Sequence, residues 1–380
     1  MVLASVLAER RPSSGRVPQL DGLRSLAILP VLMIHLAPRV GRLAALAPLW
    51  RRGWVGVDLF FVLSGYLITG ILLDTVGKPH FYRNFIARRT LRIFPLYFLS
   101  LALFTGAVYF YADRGPWASL KAWGNPGWFA VYLGNFVAAF RDRNCPIFTF
   151  TPLWSLQVEE QFYVFYPLLI ATCNFQTLRR VLVACILVAL LLRTTTVLWL
   201  GPRFGCYVLT PCRMDALAVG GIVAMMRRSN SRWLSPKALR ISLMVCSGAA
   251  FSIMTLTNGD YSNGFVMSVG YTFLGLTFAS LLALVLSSPQ ALLVRLLRWS
   301  PLVYTGQISY GLYLLHIPAA HLGRSLVSHL VALNPEGTWG SVVGIASAFT
   351  AATLSWIFFE SRVLTLKDHF RSELQPSRSN

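Results

Sequence analysis

The sequence predicts an all-α integral membrane protein with about ten transmembrane helices, and three observations favour this fold class. Of the 380 residues, 55% are hydrophobic and only 13% are charged, whereas a soluble globular domain carries about 25% charged residues. The mean hydropathy is +0.58. Apolar segments of spanning length also recur along the whole chain. These observations exclude a soluble cytosolic enzyme, a disordered chain and a secreted scaffold held together by disulfide bonds.

The apolar segments define the predicted spans in chain order. A helix that crosses a bilayer needs about 20 mostly apolar residues, and we take about 17 as the working minimum. An eleventh candidate, residues 128–140, is too short and is predicted to form a re-entrant or interfacial helix. The ten predicted spans lie near residues 23–38, 54–73, 92–111, 152–170, 181–200, 213–227, 239–256, 264–287, 302–320 and 339–360.

The distribution of basic residues predicts the orientation. The chain carries 34 Lys and Arg against 14 Asp and Glu, a formal net charge of +20. With ten spans and both termini in the cytoplasm, 22 basic residues face the cytoplasm and 12 face the other side. If residues 128–140 also crossed, these numbers would become 15 and 19. Because cytoplasmic loops are enriched in Lys and Arg, ten spans with cytoplasmic termini are predicted, and no nucleic-acid partner is needed to explain the charge.

The chain is predicted to form one domain in the inner or plasma membrane. This transmembrane domain, residues 18–365, follows a cytoplasmic N-terminal segment, 1–17, and precedes a disordered cytoplasmic tail, 366–380. None of the six cysteines belongs to a Cys-x-x-Cys pair, so no metal site is predicted. Cys206 and Cys212 lie in one predicted outer loop, and the sequence leaves open whether they form a disulfide bond. It also leaves open whether the protein forms a homo-oligomer.

The first predicted span, LDGLRSLAILPVLMIHL, contains Arg24 and His35. An ionisable residue inside a membrane is costly and is by default a candidate functional residue. Eleven steps of about 100° bring the two side chains to within roughly 20° of each other, about 16 Å apart along the helix axis. The span therefore presents an arginine near its cytoplasmic boundary and, on the same face, a histidine in the outer half of the membrane.

Three further spans carry polar residues to a similar depth. Asp58 lies in the first turns of the second span, and His316 lies in the outer part of the ninth. In the fourth span, Ser155, Glu159 and Tyr163 are four residues apart, so they share one helix face. A histidine, an aspartate, a glutamate and a second histidine are therefore predicted to converge in the outer half of the membrane.

A basic cluster is predicted at the opposite side of the membrane. It lies at the cytoplasmic start of the third span, in the sequence YRNFIARRTLRIFPLYF. The guanidinium group presents a planar fork of donors that suits phosphate. The cluster, which faces the same side as Arg24, consists of Arg83, Arg88, Arg89 and Arg92.

Six sequence blocks follow one another along the chain: LDGLRSLAILPVLMIH, GVDLFFVLSGYLI, RRTLRIFPLY, TPLWSLQVEEQFYVFYP, RMDALAVGG and ISYGLYLLHIP. In this order they resemble the blocks of the membrane-bound acyltransferase 3 family, which comprises O-acetylases of bacterial O-antigen, exopolysaccharide and peptidoglycan. The similarity runs from about residue 18 to 362. One departure is visible at the end of the last span, FFESR, where relatives commonly have Glu-x-Pro; this leaves a structural role for Glu360 open.

The resemblance implies specific roles for several residues. His35 is expected to act as the base that takes the proton of the acceptor hydroxyl. Arg24 is expected to help position the acyl-CoA, and Arg89 and Arg92 to bind the CoA phosphates. We add the hypothesis that a carboxylate, Glu159 in preference to Asp58, orients His35 and stabilises its imidazolium. The expected substrate-binding residues are Ser155, Tyr163 and His316.

The resemblance implies an acyl-CoA-dependent O-acyltransferase that moves a group, expected to be acetyl, from a cytoplasmic CoA thioester to a sugar hydroxyl. The acceptor is expected to be a cell-surface or exported glycan or another glycosylated molecule. No permanently bound cofactor is expected. The alternative is a transporter or flippase with a polar intramembrane site. Acyl chain length, acceptor identity and the choice between direct transfer and an acyl-enzyme stay open.

Overall fold

The chain folds into long helices in the computed structural model. The structure describes residues 17–111, 126–141, 153–229, 231, 235–329, 331 and 334–370, and no β-strand occurs among them. Each of the ten predicted spans overlaps one long helix, and the ninth, 302–320, also covers most of the shorter helix Ser300–Gln307. The long helices are α1 Pro18–Leu36, α2 Val55–Thr75, α3 Phe81–Tyr111, α4 Leu153–Thr172, α5 Phe175–Leu200, α6 Thr210–Arg228, α7 Pro236–Leu256, α8 Tyr271–Ser287, α9 Ser309–Ser328 and α10 Thr338–Ser355.

Shorter helical segments connect or extend these helices. Single π-helical turns precede α8 and follow α10. The shorter segments are Arg42–Leu46, Ala47–Trp50, Arg51–Trp54, Gly127–Ala130, Gly134–Arg141, Gly205–Val208, Val266–Gly270, Leu292–Leu297, Ser300–Gln307, Trp356–Glu360, Ser361–Thr365 and Leu366–Phe370.

Seven helical segments within the described residues are long and apolar enough to cross a membrane. This confirms the all-helical integral membrane fold, while the number of ten crossings and the orientation of the termini stay predictions. The seven segments are Pro18–Leu36, Arg42–Thr75, Phe175–Leu200, Gly205–Arg228, Pro236–Leu256, Val266–Ser287 and Thr338–Thr365.

The segment predicted not to cross is built from two short helices. Gly127–Ala130 and Gly134–Arg141 have four and eight residues, far fewer than the roughly 20 that a spanning helix needs. Between them Tyr132 adopts a left-handed backbone conformation with φ of 57°, which reverses the chain. Residues 112–125 and 142–152 lie outside the described residues.

The predicted terminal segments lie largely outside the described part of the chain. Residues 1–16 and 371–380 are not described. Within the predicted tail, Leu366–Phe370 forms a 3₁₀ helix that packs against α3.

Local sequence signals set several helix starts. Proline occupies the first helical position of α1 and of α7, where its missing N–H removes no intrahelical hydrogen bond. The side chain of Asn174 accepts a hydrogen bond from the Thr177 backbone N–H at 2.9 Å and so caps α5. Ser235 caps α7 in the same way.

The centre of the bundle is formed by α1, α2 and α6. Of the apolar windows in these segments 61%, 61% and 72% is buried, against 17% for α5 and 22% for α7, which present apolar side chains outward. Small residues allow the close contacts. A Cβ at Gly56 would collide with the carbonyl oxygen of Ala27 on α1, and one at Gly220 would collide with that of Val62 on α2. Such small residues let transmembrane helix backbones approach closely.

Helix α9 packs on α1 on one side and on α10 on the other. Helix α4 packs on α2, and the Arg-rich α3 contacts both α4 and α9. The polar faces of α1, α3, α4 and α9 are thereby brought together around one interior region, next to the buried face of α2.

Candidate active site

Three cavities lie along the polar faces of these helices. The first, called here the central chamber, is lined by apolar side chains of α2 and by the polar residues Arg24, Arg89, Arg92, Ser155, Glu159, Tyr163 and Tyr313. It therefore combines an apolar wall with a small number of convergent polar groups, which is the usual composition of a ligand-binding cavity.

The second cavity, called here the basic vestibule, adjoins the central chamber. Arg24, Arg92 and Tyr310 line both spaces, so the two cavities meet at these side chains. The vestibule is further lined by Asp21 and Glu360. A ligand in the vestibule could therefore extend past two guanidinium groups into the central chamber.

The third cavity, called here the histidine cavity, lies at the other end of α1. Its lining includes His35, Arg39, His321, Arg324 and Glu336. Since Arg24 and His35 both belong to α1, this one helix presents an arginine to the first two cavities and a histidine to the third. This arrangement is consistent with the sequence prediction that Arg24 and His35 lie far apart along one helix, while the prediction that they share one face of it stays a prediction.

The three arginines of the central chamber differ in their partners. Arg24 donates to Asp21, with 2.7 Å between Nη1 and Oδ1. The guanidinium of Arg89 lies 5.7 Å from the ring centroids of both Phe85 and Tyr163. Among the described residues, neither Arg89 nor Arg92 forms an ion pair. These two side chains therefore retain donors for an anionic ligand.

The Glu159 carboxylate of the central chamber is hydrogen-bonded to neighbouring hydroxyl groups. The Tyr163 hydroxyl donates to Oε2 of Glu159 at 2.9 Å. Ser64 Oγ lies 2.5 Å from the same hydroxyl oxygen, and because the Tyr163 proton is directed to Glu159, Ser64 is the donor. Ser155 Oγ lies 2.6 Å from the hydroxyl of Tyr313. The predicted substrate-binding residues Ser155 and Tyr163 thus both face the chamber.

A row of three rings separates the central chamber from the histidine cavity. Tyr313 lines the chamber, and its ring centroid is 6.4 Å from that of His316. The His316 ring centroid is 5.0 Å from that of His35, which lines the histidine cavity. We call Tyr313, His316 and His35 the ring partition. His316 is completely buried within it and lines none of the three cavities.

The hydrogen-bond partner of His35 corrects one part of the sequence analysis. Nδ1 of His35 lies 3.2 Å from Nε2 of His316 and 2.8 Å from the carbonyl oxygen of Val31. Among the described residues, no carboxylate bonds to His35. The expected contact of Glu159 or Asp58 with this histidine is therefore not seen: Glu159 accepts from Tyr163, and Asp58 accepts from Arg213.

Asp58 forms a buried ion pair instead. Its Oδ1 accepts from Nη2 of Arg213 on α6 at 2.7 Å, and both side chains are only 1% exposed. A second pair, Arg193 with Asp215, lies beside it at 2.8 Å. Because a buried charge is very costly without a partner, these contacts account for both aspartates. The sequence analysis predicted neither pair, because each one joins two different helices.

Lys367 is a second residue that the sequence analysis missed. It follows the last apolar segment, in a part of the chain that was predicted to be disordered. Burial, together with the nearby guanidinium groups of Arg92 and Arg89, lowers the pKa of Lys367 to about 6. A lysine held among arginines in this way is mostly neutral above pH 6 and carries its positive charge only below that pH. The vestibule also contains Glu360, which accepts a hydrogen bond from Ser355 at 2.9 Å.

Comparison with known proteins agrees with the family resemblance found in the sequence. A family model described as an acyltransferase domain matches residues 17–360. A putative peptidoglycan O-acetyltransferase of Bacillus subtilis is 30% identical over 92% of this chain and 55% of its own length. A peptidoglycan O-acetyltransferase of Listeria monocytogenes is 28% identical over 93% of this chain and 56% of its own length.

A putative O-acetyltransferase of Staphylococcus aureus is 27% identical over 94% of this chain and 58% of its own length. The chain therefore spans little more than half the length of the curated relatives that it matches. No solved structure matches the chain.

Proposed function

This chain belongs to the acyltransferase family whose model covers residues 17–360, and from that premise we propose that it is an acyl-CoA-dependent O-acyltransferase of the plasma membrane. It transfers a short acyl group, taken to be acetyl, from a CoA thioester to a hydroxyl of a carbohydrate. Because the relatives are named as peptidoglycan O-acetyltransferases, an acetyl group and a peptidoglycan-like acceptor are the first candidates to test.

The observation that carries the proposal is the placement of Arg24 and His35 on α1. Arg24 lines the basic vestibule and the central chamber, whereas His35 lines the histidine cavity. With ten crossings and cytoplasmic termini, the vestibule faces the cytoplasm, where CoA thioesters are made, and the histidine cavity faces outward. One helix then links the donor side to the acceptor side.

The donor is bound by the basic groups. CoA carries a diphosphate and a 3′-phosphate, and arginine recognises phosphate through paired hydrogen bonds. Arg89 and Arg92 supply donors at the chamber, and the nearby Lys367 adds a positive charge only when the pH falls toward its pKa of about 6. The pantetheine arm lies in the central chamber along the apolar wall of α2, and the thioester must pass the ring partition to reach a hydroxyl held at His35.

The chemistry takes place at His35. The acceptor hydroxyl loses its proton to this histidine while its oxygen attacks the thioester carbonyl carbon. The new C–O bond forms, the C–S bond breaks, and the CoA thiolate leaves. The proton held on His35 then neutralises the thiolate, so the protons balance and the base is regenerated. Acyl-CoA is a substrate in this scheme, and no resident cofactor takes part.

The test is release of free CoA thiol by the purified full chain in nanodiscs supplied with radiolabelled acetyl-CoA. Wild type is expected to release thiol, and His35→Ala is expected to lose about 100-fold or more of that rate, as expected for removal of a general base. The matched control is His329→Ala, because His329 is exposed at the end of α9.

Two outcomes would overturn the proposal. Equal rates for His35→Ala and wild type would remove His35 from the chemistry. If the wild type neither binds nor turns over acetyl-CoA or longer acyl-CoA donors, the transporter or flippase hypothesis is favoured instead.

A further inference from the structure

We infer that His316 is a positioning residue that holds His35 with its proton on Nδ1, so that Nε2 of His35 is the atom that takes the acceptor proton. The catalytic consequence rests on the proposed function. The arrangement of protons on the two rings does not, because it follows from the contacts of the two histidines alone.

The contacts of His316 determine which of its nitrogens carries the proton. Its Nδ1 lies 3.0 Å from the carbonyl oxygen of Leu312 and 2.9 Å from that of Tyr313. A carbonyl oxygen can only accept, so Nδ1 must be the N–H. In a neutral ring Nε2 then carries the lone pair. The side chain is 0% exposed, so no solvent competes for that lone pair.

The lone pair of His316 is directed at His35. Its Nε2 is 3.2 Å from Nδ1 of His35. The second group near Nδ1 of His35 is the carbonyl oxygen of Val31, at 2.8 Å, which is also an acceptor. With acceptors on both sides, Nδ1 of His35 must carry the proton, and the lone pair of His35 is on Nε2.

The remaining nitrogen of His35 is available for chemistry. Among the described residues, no hydrogen-bond partner is found for Nε2 of His35, and the side chain lines the histidine cavity. A hydroxyl that enters this cavity therefore meets the basic nitrogen. Were the proton on Nε2, the same cavity would present a donor and the ring could not act as a base.

His316 adds something that α1 cannot supply alone. The Val31 carbonyl belongs to the same helix as His35, four residues before it, so it follows the helix wherever that helix moves. His316 comes from α9 and fixes the His35 ring relative to a second helix, with 51° between the ring planes. When His35 becomes an imidazolium, its Nδ1–H remains directed at a neutral acceptor, which stabilises that charge.

The other charged and titratable groups around His35 do not replace His316. Arg324 donates to the carbonyl oxygens of Gly340 at 2.8 Å and of Leu36 at 3.2 Å, so it fastens the end of α1. Glu336 lies 3.7 Å from Arg39 at the exposed rim of the cavity. His321 lines the same cavity. Within the described residues, His316 is the side chain that bonds to the His35 ring.

The first test measures the protons directly. Full-length protein labelled with ¹⁵N-histidine is placed in nanodiscs, and the His35 signals are assigned by their loss in His35→Gln. We expect neutral His35 with its proton on Nδ1. His316→Phe, which keeps a ring but no acceptor, leaves the Val31 carbonyl as the remaining acceptor at Nδ1 and is expected to raise the share of His35 that is protonated on Nε2. His316→Gln, which keeps an acceptor near the place of Nε2, is expected to retain the wild-type state.

Two results of this test would overturn the inference: a wild-type His35 protonated on Nε2, or an unchanged His35 in His316→Phe. Because no turnover is needed, the test remains decisive even if acetyl-CoA proves not to be the donor. Variants are compared only after size-exclusion chromatography shows one monodisperse peak, and His316→Leu replaces His316→Phe if the larger ring prevents folding.

The second test uses the rate of CoA thiol release from acetyl-CoA. His316→Phe is expected to lower kcat about 10- to 100-fold, as removal of a group that orients a catalytic base does, with KM for acetyl-CoA within about twofold of wild type. His316→Gln is expected to recover most of kcat.

His316→Glu places a carboxylate against Nδ1 of His35 and favours the imidazolium, so the acidic limb of the pH–rate profile is expected to move to higher pH. A merely structural role would leave that profile in place. Equal kcat values for the Phe and Gln variants, or a change in KM alone, would contradict a positioning role. A wild type without turnover would contradict the proposed function and leave the ¹⁵N result standing.

Discussion

The buried pair of Asp58 and Arg213 gives a sharp test of whether Asp58 is structural. Both side chains are 1% exposed and their charged atoms are 2.7 Å apart. Removal of one partner from such a pair costs about 3–5 kcal/mol, because the other charge is left buried and unpaired. Asp58→Asn and Arg213→Leu are therefore both expected to destabilise the protein.

The surroundings of Arg213 make the two losses unequal. Its guanidinium lies 4.1 Å from the ring centroid of Tyr271 and 5.4 Å from that of Tyr207. Such desolvated cation–π contacts are each worth up to about 2 kcal/mol and still stabilise the cation when Asp58 is neutral. We therefore expect Asp58→Asn to cost about 1–3 kcal/mol. Arg213→Leu leaves the buried Asp58 carboxylate without its ion-pair partner and should cost about 3–5 kcal/mol.

The assay is the fraction of protein that stays monodisperse after heating at a fixed rate in detergent, followed by size-exclusion chromatography. The expected order of stability is wild type, Asp58→Asn, then Arg213→Leu. The double variant should be more stable than Arg213→Leu alone, since it leaves no unpaired charge. A lipid-facing change, Met244→Leu on α7, is the control because Met244 is 74% exposed.

Activity separates a structural role from a catalytic one. Asp58 lines none of the three cavities, so acetyl-CoA turnover per folded molecule is expected to stay within about threefold of wild type in Asp58→Asn. If Asp58→Asn kept the heat stability of the wild type but lost turnover, this reasoning would be refuted and Asp58 would have a catalytic role.

Three further predictions concern donor binding and helix packing. Arg92→Ala is expected to raise KM for acetyl-CoA about 10- to 100-fold, because a hydrogen bond to a charged group contributes about 1.5–3 kcal/mol. Burial and the neighbouring arginines lower the pKa of Lys367 to about 6. Because an anionic donor binds the protonated amine, KM for acetyl-CoA should rise as the pH increases above 6, and this rise should be smaller in Lys367→Met. Gly56→Leu should greatly reduce the yield of monodisperse protein, because its Cβ would collide with the Ala27 carbonyl oxygen.

Each of these predictions has a matched control. Arg240→Ala and Lys237→Met change exposed basic residues on α7 and should leave KM and its pH dependence unaltered. Gly248, the control for Gly56, is also on α7 and has open space around it, so Gly248→Leu should fold normally. An unchanged KM in Arg92→Ala, a retained pH dependence in Lys367→Met, or a normal yield of Gly56→Leu would each contradict the corresponding argument.

Much of the fold could be predicted because lipid imposes a simple rule on sequence. Each spanning helix must be apolar over about 20 residues, so all ten long helices were located from the sequence. The predicted starts were late where a helix continues into polar sequence. Helix α3 begins at Phe81 rather than near residue 92, because its Arg-rich first turns are helical without being apolar.

The positions of the site residues within each helix could be predicted, but the contacts between residues of different helices could not. The sequence placed Arg24 and His35 toward opposite ends of α1, and the periodicity of α4 placed Ser155, Glu159 and Tyr163 in one chamber. The partner of His35 is 281 residues away on α9. Which faces of two helices meet depends on their packing rotation, and a single sequence does not determine that rotation. A nearby carboxylate was therefore chosen where the structure uses a second histidine.

The ring partition has a consequence for the cell as a whole. A polar passage that runs through a membrane protein is a leak unless something closes it, and each elementary charge that crosses 100 mV dissipates about 2.3 kcal/mol. If the vestibule and chamber open to one side of the membrane and the histidine cavity to the other, then Tyr313, His316 and His35 lie where the permeability barrier must be. The side chain of His316 is 0% exposed, which fits such a dry layer. In the proposed reaction these three rings would have to let an acyl group pass while keeping the electrochemical gradient from discharging.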